Sequence, residues 1–385
     1  MKEIYFDNSS TTKPYPAVVD MVVRTMTEDY GNPSSMHQKG VEAEKYVKDA
    51  AKILAGLMKV REKEIFFTSG GTESNNWALV GAALANQRAG KTIITSPMEH
   101  PAVSEPLKYL KDQGFNIVEI PLDKTGALAM DKLEAALNED VILVSIMYVN
   151  NEVGTVTPVK EIGTLIKAKA PGALFHVDAT QAFGHYRIYP KELKVDLLTA
   201  SAHKFHGPKG VGFLYIEEHV KIRPLIMGGG QQMAMRSGTD NVPGVAGMGV
   251  AAEESYRDFE AKNEHLRSLR RYLIDRLSEM DNVVVHGGAE EQQAPHIVNA
   301  AFIGVGSEVL LHSLEDNGIY ISAGSACSTH KRAPSPTLSA LHVDRDDLSS
   351  SVRFSFSETN TKEEIDEAVA VLNKLLPMLR RYRAH

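Results

Sequence analysis

Residues 173–216 read ALFHVDATQAFGHYRIYPKELKVDLLTASAHKFHGPKGVGFLYI. Three apolar runs lie in this stretch, at 173–177, 195–200 and 211–216. Each is close to continuous rather than alternating, as a strand covered on both faces requires. Polar residues collect just past their ends: Asp178 after the first, then Ser201, His203 and Lys204 after the second. Strands of this kind belong to open α/β sheets, whose ligands sit where strands end and helices begin.

The same grammar extends outward. Further strand patterns stand at 64–68, 92–95, 116–120 and 141–147, and helical patterns at 73–87, 101–113, 131–137 and 158–170. The alternation predicts an α/β domain on a mostly parallel seven-stranded sheet. Ahead of it, Val18, Val19, Val22, Val23 and Met26 recur at helical spacing, as do Val47, Ala50, Ala51, Leu54 and Leu57. Both sets predict helix stripes that face the core. After about Gly249 the pattern changes to a charge-rich helical stretch at 251–280. Short strands at 283–286 and 297–302 and helices at 307–317 and 362–381 follow, predicting a smaller α+β domain joined through one long helix.

Composition narrows the function classes. The chain has 385 residues, enough for two domains, and its 43% hydrophobic and 24% charged content is that of a soluble globular protein. With 42 basic and 49 acidic residues the net charge is -7, so no basic surplus points to direct nucleic-acid binding. The single cysteine excludes an internal disulfide and argues against a cysteine-built metal site. It fits a reducing, cytoplasmic setting. No apolar run reaches the roughly 20 residues of a membrane span.

Five segments carry candidate chemistry. Lys204, in SAHKFHGPKG at 201–210, follows a buried strand, where a lysine of lowered pKa can form a Schiff base with an aldehyde cofactor. Taken alone, the segment is equally compatible with a surface lysine. TSGGTESNN at 68–76 is a strand, a glycine turn and a helix start, a form that cradles phosphate or simply caps a helix. It lacks the lysine of a P-loop. Asp178 at the end of a buried strand calls for a partner; a protonated pyridine nitrogen would serve, and so would the next helix start. His100, in MEHP at 98–101, could stack on a flat ring, relay protons, or only enter a helix. Cys327, in SAGSACSTHKR at 322–332, lies among small residues beside His330, Lys331 and Arg332, a setting that favours thiolate.

Taken together, these segments resemble the cysteine desulfurases of NifS and IscS type. The shared marks are YFDNSSTT at 5–12, GNPSSMHQKG at 31–40, TSGGTESNN at 68–76, EHPAV at 99–103 and VNNEVGT at 149–155. HVDATQ at 176–181, SAHKFHGPKG at 201–210, RSGTDN at 236–241, SAGSACS at 322–328 and VRFSF at 352–356 complete them in the same order. The resemblance spans nearly the whole chain. It implies the aspartate-aminotransferase-like fold (fold type I) of pyridoxal-phosphate-dependent transferases. Residues 16–250 would form the large cofactor-binding domain, and 1–15 with 251–385 the small one.

It also implies roles. Lys204 would hold pyridoxal 5'-phosphate, Asp178 would pair with its ring nitrogen, Gln181 with its ring oxygen, and His100 would stack on it. Gly71, Thr72, Ser201 and His203 would bind its phosphate, and Thr239 would reach the phosphate of the other subunit in a homodimer. Asn151, also a cofactor residue, would hold the substrate carboxylate with Arg353. Lys204 and His100 would move protons, and Cys327 would attack the sulfur of L-cysteine, leaving L-alanine and a Cys327 persulfide. Segment 330–336 departs from the usual IscS pattern. The implied sulfur acceptor is therefore equally an IscU-type iron–sulfur scaffold or a ThiI-like or MnmA-like enzyme of tRNA or thiamin sulfur delivery. Selenocysteine lyase is the alternative activity on the same fold.

Overall fold

In the computed structural model, residues 3–323 and 335–382 are described. Seven strands form the main sheet in the spatial order 65–68, 212–216, 197–201, 174–178, 141–147, 92–95, 116–119. The four pairings from 197–201 outward to 116–119 are parallel. Strand Gly212–Ile216 runs antiparallel to both of its neighbours. Six strands therefore point their C-terminal ends to one edge. All seven sequence patterns become strands, with ends moved by one or two residues. Val141–Met147 is buried at every position, as its nearly continuous apolar run demands.

Helices cover both faces. Gln38–Met58 and Val242–Tyr256 pack on one side through Ala50, Leu54, Val245 and Met248. The segment 71–86 is one continuous helix with a π turn at Trp77–Gly81, where Trp77 is buried and its indole donates to the Arg223 carbonyl. A second apolar core is separate. It gathers Ile4 and Phe6 with Leu266, Leu269, Leu273, Val352, Phe354 and Leu372. Its antiparallel sheet has the order 322–323, 351–355, 297–302, 283–286, and Ile4–Tyr5 pairs in parallel with Ile319–Tyr320.

Two expectations are corrected. The helical stretch at 251–280 is not one helix: Val242–Tyr256 ends at extended Arg257, and left-handed Asp258 (φ 51°) starts Phe259–Ser278. The first helix serves the main core and the second serves the other, and one straight helix cannot face both. In the helix Pro16–Thr27 only Val18 and Thr25 are buried, whereas Val19, Val23 and Met26 are 47%, 53% and 63% exposed. The apolar spacing there is helical, but it marks an outward face.

Candidate functional site

Strands 65–68, 174–178 and 197–201 deliver their last residues to the same edge of the sheet. After Thr68 the chain turns through Gly70 at φ 144°, a conformation that only glycine adopts readily, and enters the helix at Gly71. The Thr68 and Ser74 hydroxyls, 2.7 Å apart, fasten the turn from inside. Space is tight: a Cβ on Gly71 would lie 3.1 Å from Thr180 Oγ1. First-turn N–H groups have no acceptor within their own helix, so this turn favours an anion. It opens on a cleft of about 420 Å³ lined by Ser10, Thr11, Gly71, Thr72, Ser201 and His203, among others. The four residues expected at a phosphate thus share one cleft.

Asp178 is 3% exposed at the end of its strand. One carboxylate oxygen accepts the Thr180 N–H at 2.9 Å, and the other accepts from Asn75 Nδ2 at 2.8 Å. Asp178 thus caps its own turn, and its carboxylate keeps acceptor capacity beyond these two bonds. Lys204 ends the turn that follows strand 197–201. Its Nζ donates to the carbonyls of Ser9 at 2.5 Å and Ser10 at 2.9 Å. Gln181 Nε2 donates to the same Ser9 carbonyl at 2.9 Å, which places Gln181 beside the lysine.

Two histidines frame this centre. His203 Nδ1 lies 3.2 Å from Thr11 Oγ1, and burial, with the charges of Lys204 and Lys209, lowers the ring's pKa to about 4. His100 caps the helix Pro101–Asp112 by accepting the Ala102 N–H on Nδ1, so its own ring proton sits on Nε2. Burial lowers the His100 pKa, with Asp178 opposing and Lys204 adding. It is therefore neutral near pH 7 and presents its Nε2 proton as a donor. Beside it Glu99 is buried and pushed up to about 8, although Ser96 and the Met147 N–H donate to it.

Arg353 and Asn151 also meet. Arg353 Nη1 donates to the Asn151 carbonyl at 2.6 Å. Its Nη2 donates to Asp7 Oδ1 at 2.8 Å and to Ser10 Oγ at 2.7 Å. Thr239 stands apart from the cleft, exposed on the loop after Arg236, and Arg236 pairs with Glu73 at 2.9 Å. Cys327 and its neighbours 324–334 lie outside the described residues.

Sequence reasoning did not assign roles to Asn75, Ser9, Ser10, Asp7 or Glu99. All five lie inside motifs quoted above, but their parts are played by one amide, two backbone carbonyls, a counter-ion and a buried acid. Those contacts have no signature in residue type or spacing.

The class-V aminotransferase family model matches residues 4–368. The chain is 43% identical over 379 residues to a cysteine desulfurase IscS of Methanosarcina thermophila, covering 98% of this chain and 93% of that protein. It is 40% identical over 381 residues to a cysteine desulfurase IscS of Clostridium botulinum, covering 98% of this chain and 96% of that protein. This chain belongs to the class-V aminotransferase family, among its cysteine desulfurases. Among solved structures, a NifS-like protein superimposes with a TM-score of 0.93 at 38% identity, covering 98% of this chain and all of that one. A structure of SspA in complex with cysteine gives a TM-score of 0.81 at 28% identity over 94% of this chain. The chain is thus an enzyme of cysteine desulfurase type.

The family depends on pyridoxal phosphate, and the residues present fit that group. A glycine turn at a helix start suits its phosphate, a buried carboxylate with spare capacity suits its ring nitrogen, and a lysine follows the strand paired with the one that ends at that carboxylate.

Proposed function

We propose that this protein binds pyridoxal 5'-phosphate through Lys204 and removes sulfur from L-cysteine, giving L-alanine and a persulfide on Cys327. The observation that carries the reading is Lys204 and Gln181 meeting on the Ser9 carbonyl, next to Ser10 of the glycine-turn cleft, with Asp178 fixed by Asn75 at the end of the strand paired with the one that leads to Lys204. When bound, the cofactor supplies an electron sink that makes the substrate's α-proton acidic. Gly71, Thr72, Ser201 and His203 hold its phosphate, Asp178 its ring nitrogen and Gln181 its ring oxygen.

The chain's own residues do the rest. Arg353, with Asn151, holds the substrate carboxylate, the kind of group a guanidinium recognises well. Lys204 Nζ takes the α-proton, and neutral His100 carries the protons that must move beside it. The Cys327 thiolate attacks the substrate sulfur, the carbon–sulfur bond breaks with its electron pair left on carbon, and one proton goes to Cβ and one back to Cα, so cysteine and thiol become alanine and persulfide. Lys331 and Arg332 next in sequence favour the thiolate.

The reading extends to assembly and setting. The enzyme works as a homodimer in which Thr239 reaches the partner's phosphate; the outward apolar face of Val19, Val23 and Met26 supports a covered surface there. The division into a domain of residues 16–250 and one of 1–15 with 251–385 is supported by the separate core that joins Ile4 and Phe6 to residues from 266 onward. A cytoplasmic setting accords with the single cysteine; among the described residues no helix is long and apolar enough to cross a membrane. The persulfide passes to an acceptor protein, of IscU type for iron–sulfur clusters or of ThiI or MnmA type for tRNA or thiamin sulfur.

The test is alanine and sulfide release from L-cysteine by cofactor-loaded protein in the presence of a reductant. Cys327→Ala is expected to keep the yellow colour and lose sulfide release at least about a hundredfold, through loss of the chain's only thiol. Release at the parent rate from that variant would refute the reading.

A further inference from the structure

The Arg353 guanidinium is 6% exposed, and its donors are largely spoken for. Nη1 donates to the Asn151 carbonyl at 2.6 Å. The two protons of Nη2 go to Asp7 Oδ1 at 2.8 Å and Ser10 Oγ at 2.7 Å. The Ser10 hydroxyl in turn donates to Asp7 Oδ1 at 2.8 Å, closing a triangle. Nε is buried with no partner among the described residues.

A guanidinium offers a carboxylate two bidentate edges, one through Nε and Nη2 and one through Nη1 and Nη2. Both run through Nη2, whose protons are already used. A substrate carboxylate can therefore take a full fork only by displacing Asp7 or Ser10. The orphaned Nε–H marks the edge with a donor to spare. Asp7 is itself fixed, because its backbone bridges to Ser355 and its carbonyl accepts from the Ser10 N–H at 3.0 Å. Its carboxylate competes from a built position, not from a wandering side chain.

We propose that Asp7 is a specificity-determining residue: an internal counter-ion that occupies the carboxylate fork of Arg353 and sets how tightly an amino-acid substrate is held. In the free enzyme it neutralises a buried cation that would otherwise be costly. On binding, the substrate carboxylate replaces it at Nη2 and gains Nε. Affinity is the difference between the two anions, so Asp7 keeps KM high and lets the carboxylate-bearing product leave. The same competition weakens an anion less able to form the fork. The proposal rests on Arg353 as the partner of the substrate carboxylate.

The experiment compares L-cysteine with cysteamine, which has the same amine and thiol but no carboxylate. Asp7→Asn keeps the shape and the acceptor but removes the charge. It is expected to lower KM for L-cysteine about tenfold, equal to about 1.4 kcal/mol, and to leave the cysteamine inhibition constant in place. Ser10→Ala frees the other proton of Nη2 and is expected to lower KM about threefold. It serves as the second variant if Asp7→Asn folds poorly. A rise or no change in KM for L-cysteine in both variants overturns the proposal, as does an equal shift for cysteamine, which would mark a structural role. Arg353→Lys separates the underlying reading: an unchanged KM there refutes Arg353 as the carboxylate partner, whatever Asp7 does.

Discussion

At the scale of single residues, the centre depends on how Asp178 is aimed. Its carboxylate is fixed by the Thr180 N–H on one oxygen and by Asn75 on the other. Asn75 is 1% exposed and neutral, so it orients the carboxylate without cancelling its charge. A lysine or arginine in its place would satisfy the aspartate and leave the ring nitrogen less favoured. Asn75→Ala removes a bond to a charged group, worth roughly 1.5–3 kcal/mol. The expected outcome is cofactor binding about tenfold weaker by equilibrium dialysis, with a changed visible absorption band. Parent-like affinity and spectrum would show that Asn75 does not orient Asp178. Asp178 was legible in the sequence because an acid closing an apolar strand is conspicuous. Asn75 was not, because it reaches its partner from 103 residues away in sequence.

At the scale of elements, the glycine turn and the antiparallel strand Gly212–Ile216 are fitted back to back. A Cβ on Gly212 would stand 2.5 Å from the Ala200 carbonyl oxygen and 2.8 Å from Gly70 Cα. Both are backbone atoms and cannot step aside cheaply. Gly212→Ala should cost about 1–3 kcal/mol of stability through overpacking and weaken cofactor binding, because the strain falls on the turn. Gly56→Ala is the control: nothing lies within 4 Å of its Cβ in the helix Gln38–Met58. It should instead gain up to about 1 kcal/mol from helix propensity. Urea melts and dialysis of the two variants compare them directly; a harmless Gly212→Ala would mean the turn is looser than its contacts imply. The strands were readable since nearly continuous apolar runs such as Val141–Met147 leave little else to form. The break at Arg257–Asp258 was not, since no glycine or proline marks it and its cause is the choice between two cores. The stripe through Val19, Val23 and Met26 misled for a related reason: spacing shows which residues share a face, not what covers it.

At the scale of the whole molecule, the two cores meet along a seam of titratable groups. Glu358 from the second half bonds His206 at 3.1 Å and the Tyr15 hydroxyl, with Lys262 at 3.7 Å. Nearby, the rings of His185 and His296 stack at 3.8 Å, and neither His296 nitrogen has a partner among the described residues. Burial first, then the charges of His185 and Arg353, hold His296 well below its ordinary 6.5. Burial likewise lowers His185 to about 4. An unfolded histidine takes up its proton near pH 6.5, while these stay neutral in the fold. Between pH 6.5 and 4 the unfolded chain thus binds more protons, and stability is lost as pH falls. Burial pushes the Glu358 carboxyl up, but the bonds from His206 and Tyr15 outweigh it and hold it well below 4.5. Its contribution is present above pH 4.5 and is lost as the pH drops further. The histidine loss therefore comes first and the glutamate loss second. His296→Phe keeps the flat ring and removes the proton site, at about 1.4 kcal/mol for each unit of depression abolished. The fall in urea midpoint between pH 7 and pH 5 should shrink in that variant. Glu358→Gln should lower the midpoint at pH 7 and leave the slope between pH 7 and 5 as it was. An unaltered slope in His296→Phe would place the acid sensitivity of the holoenzyme elsewhere than at this seam.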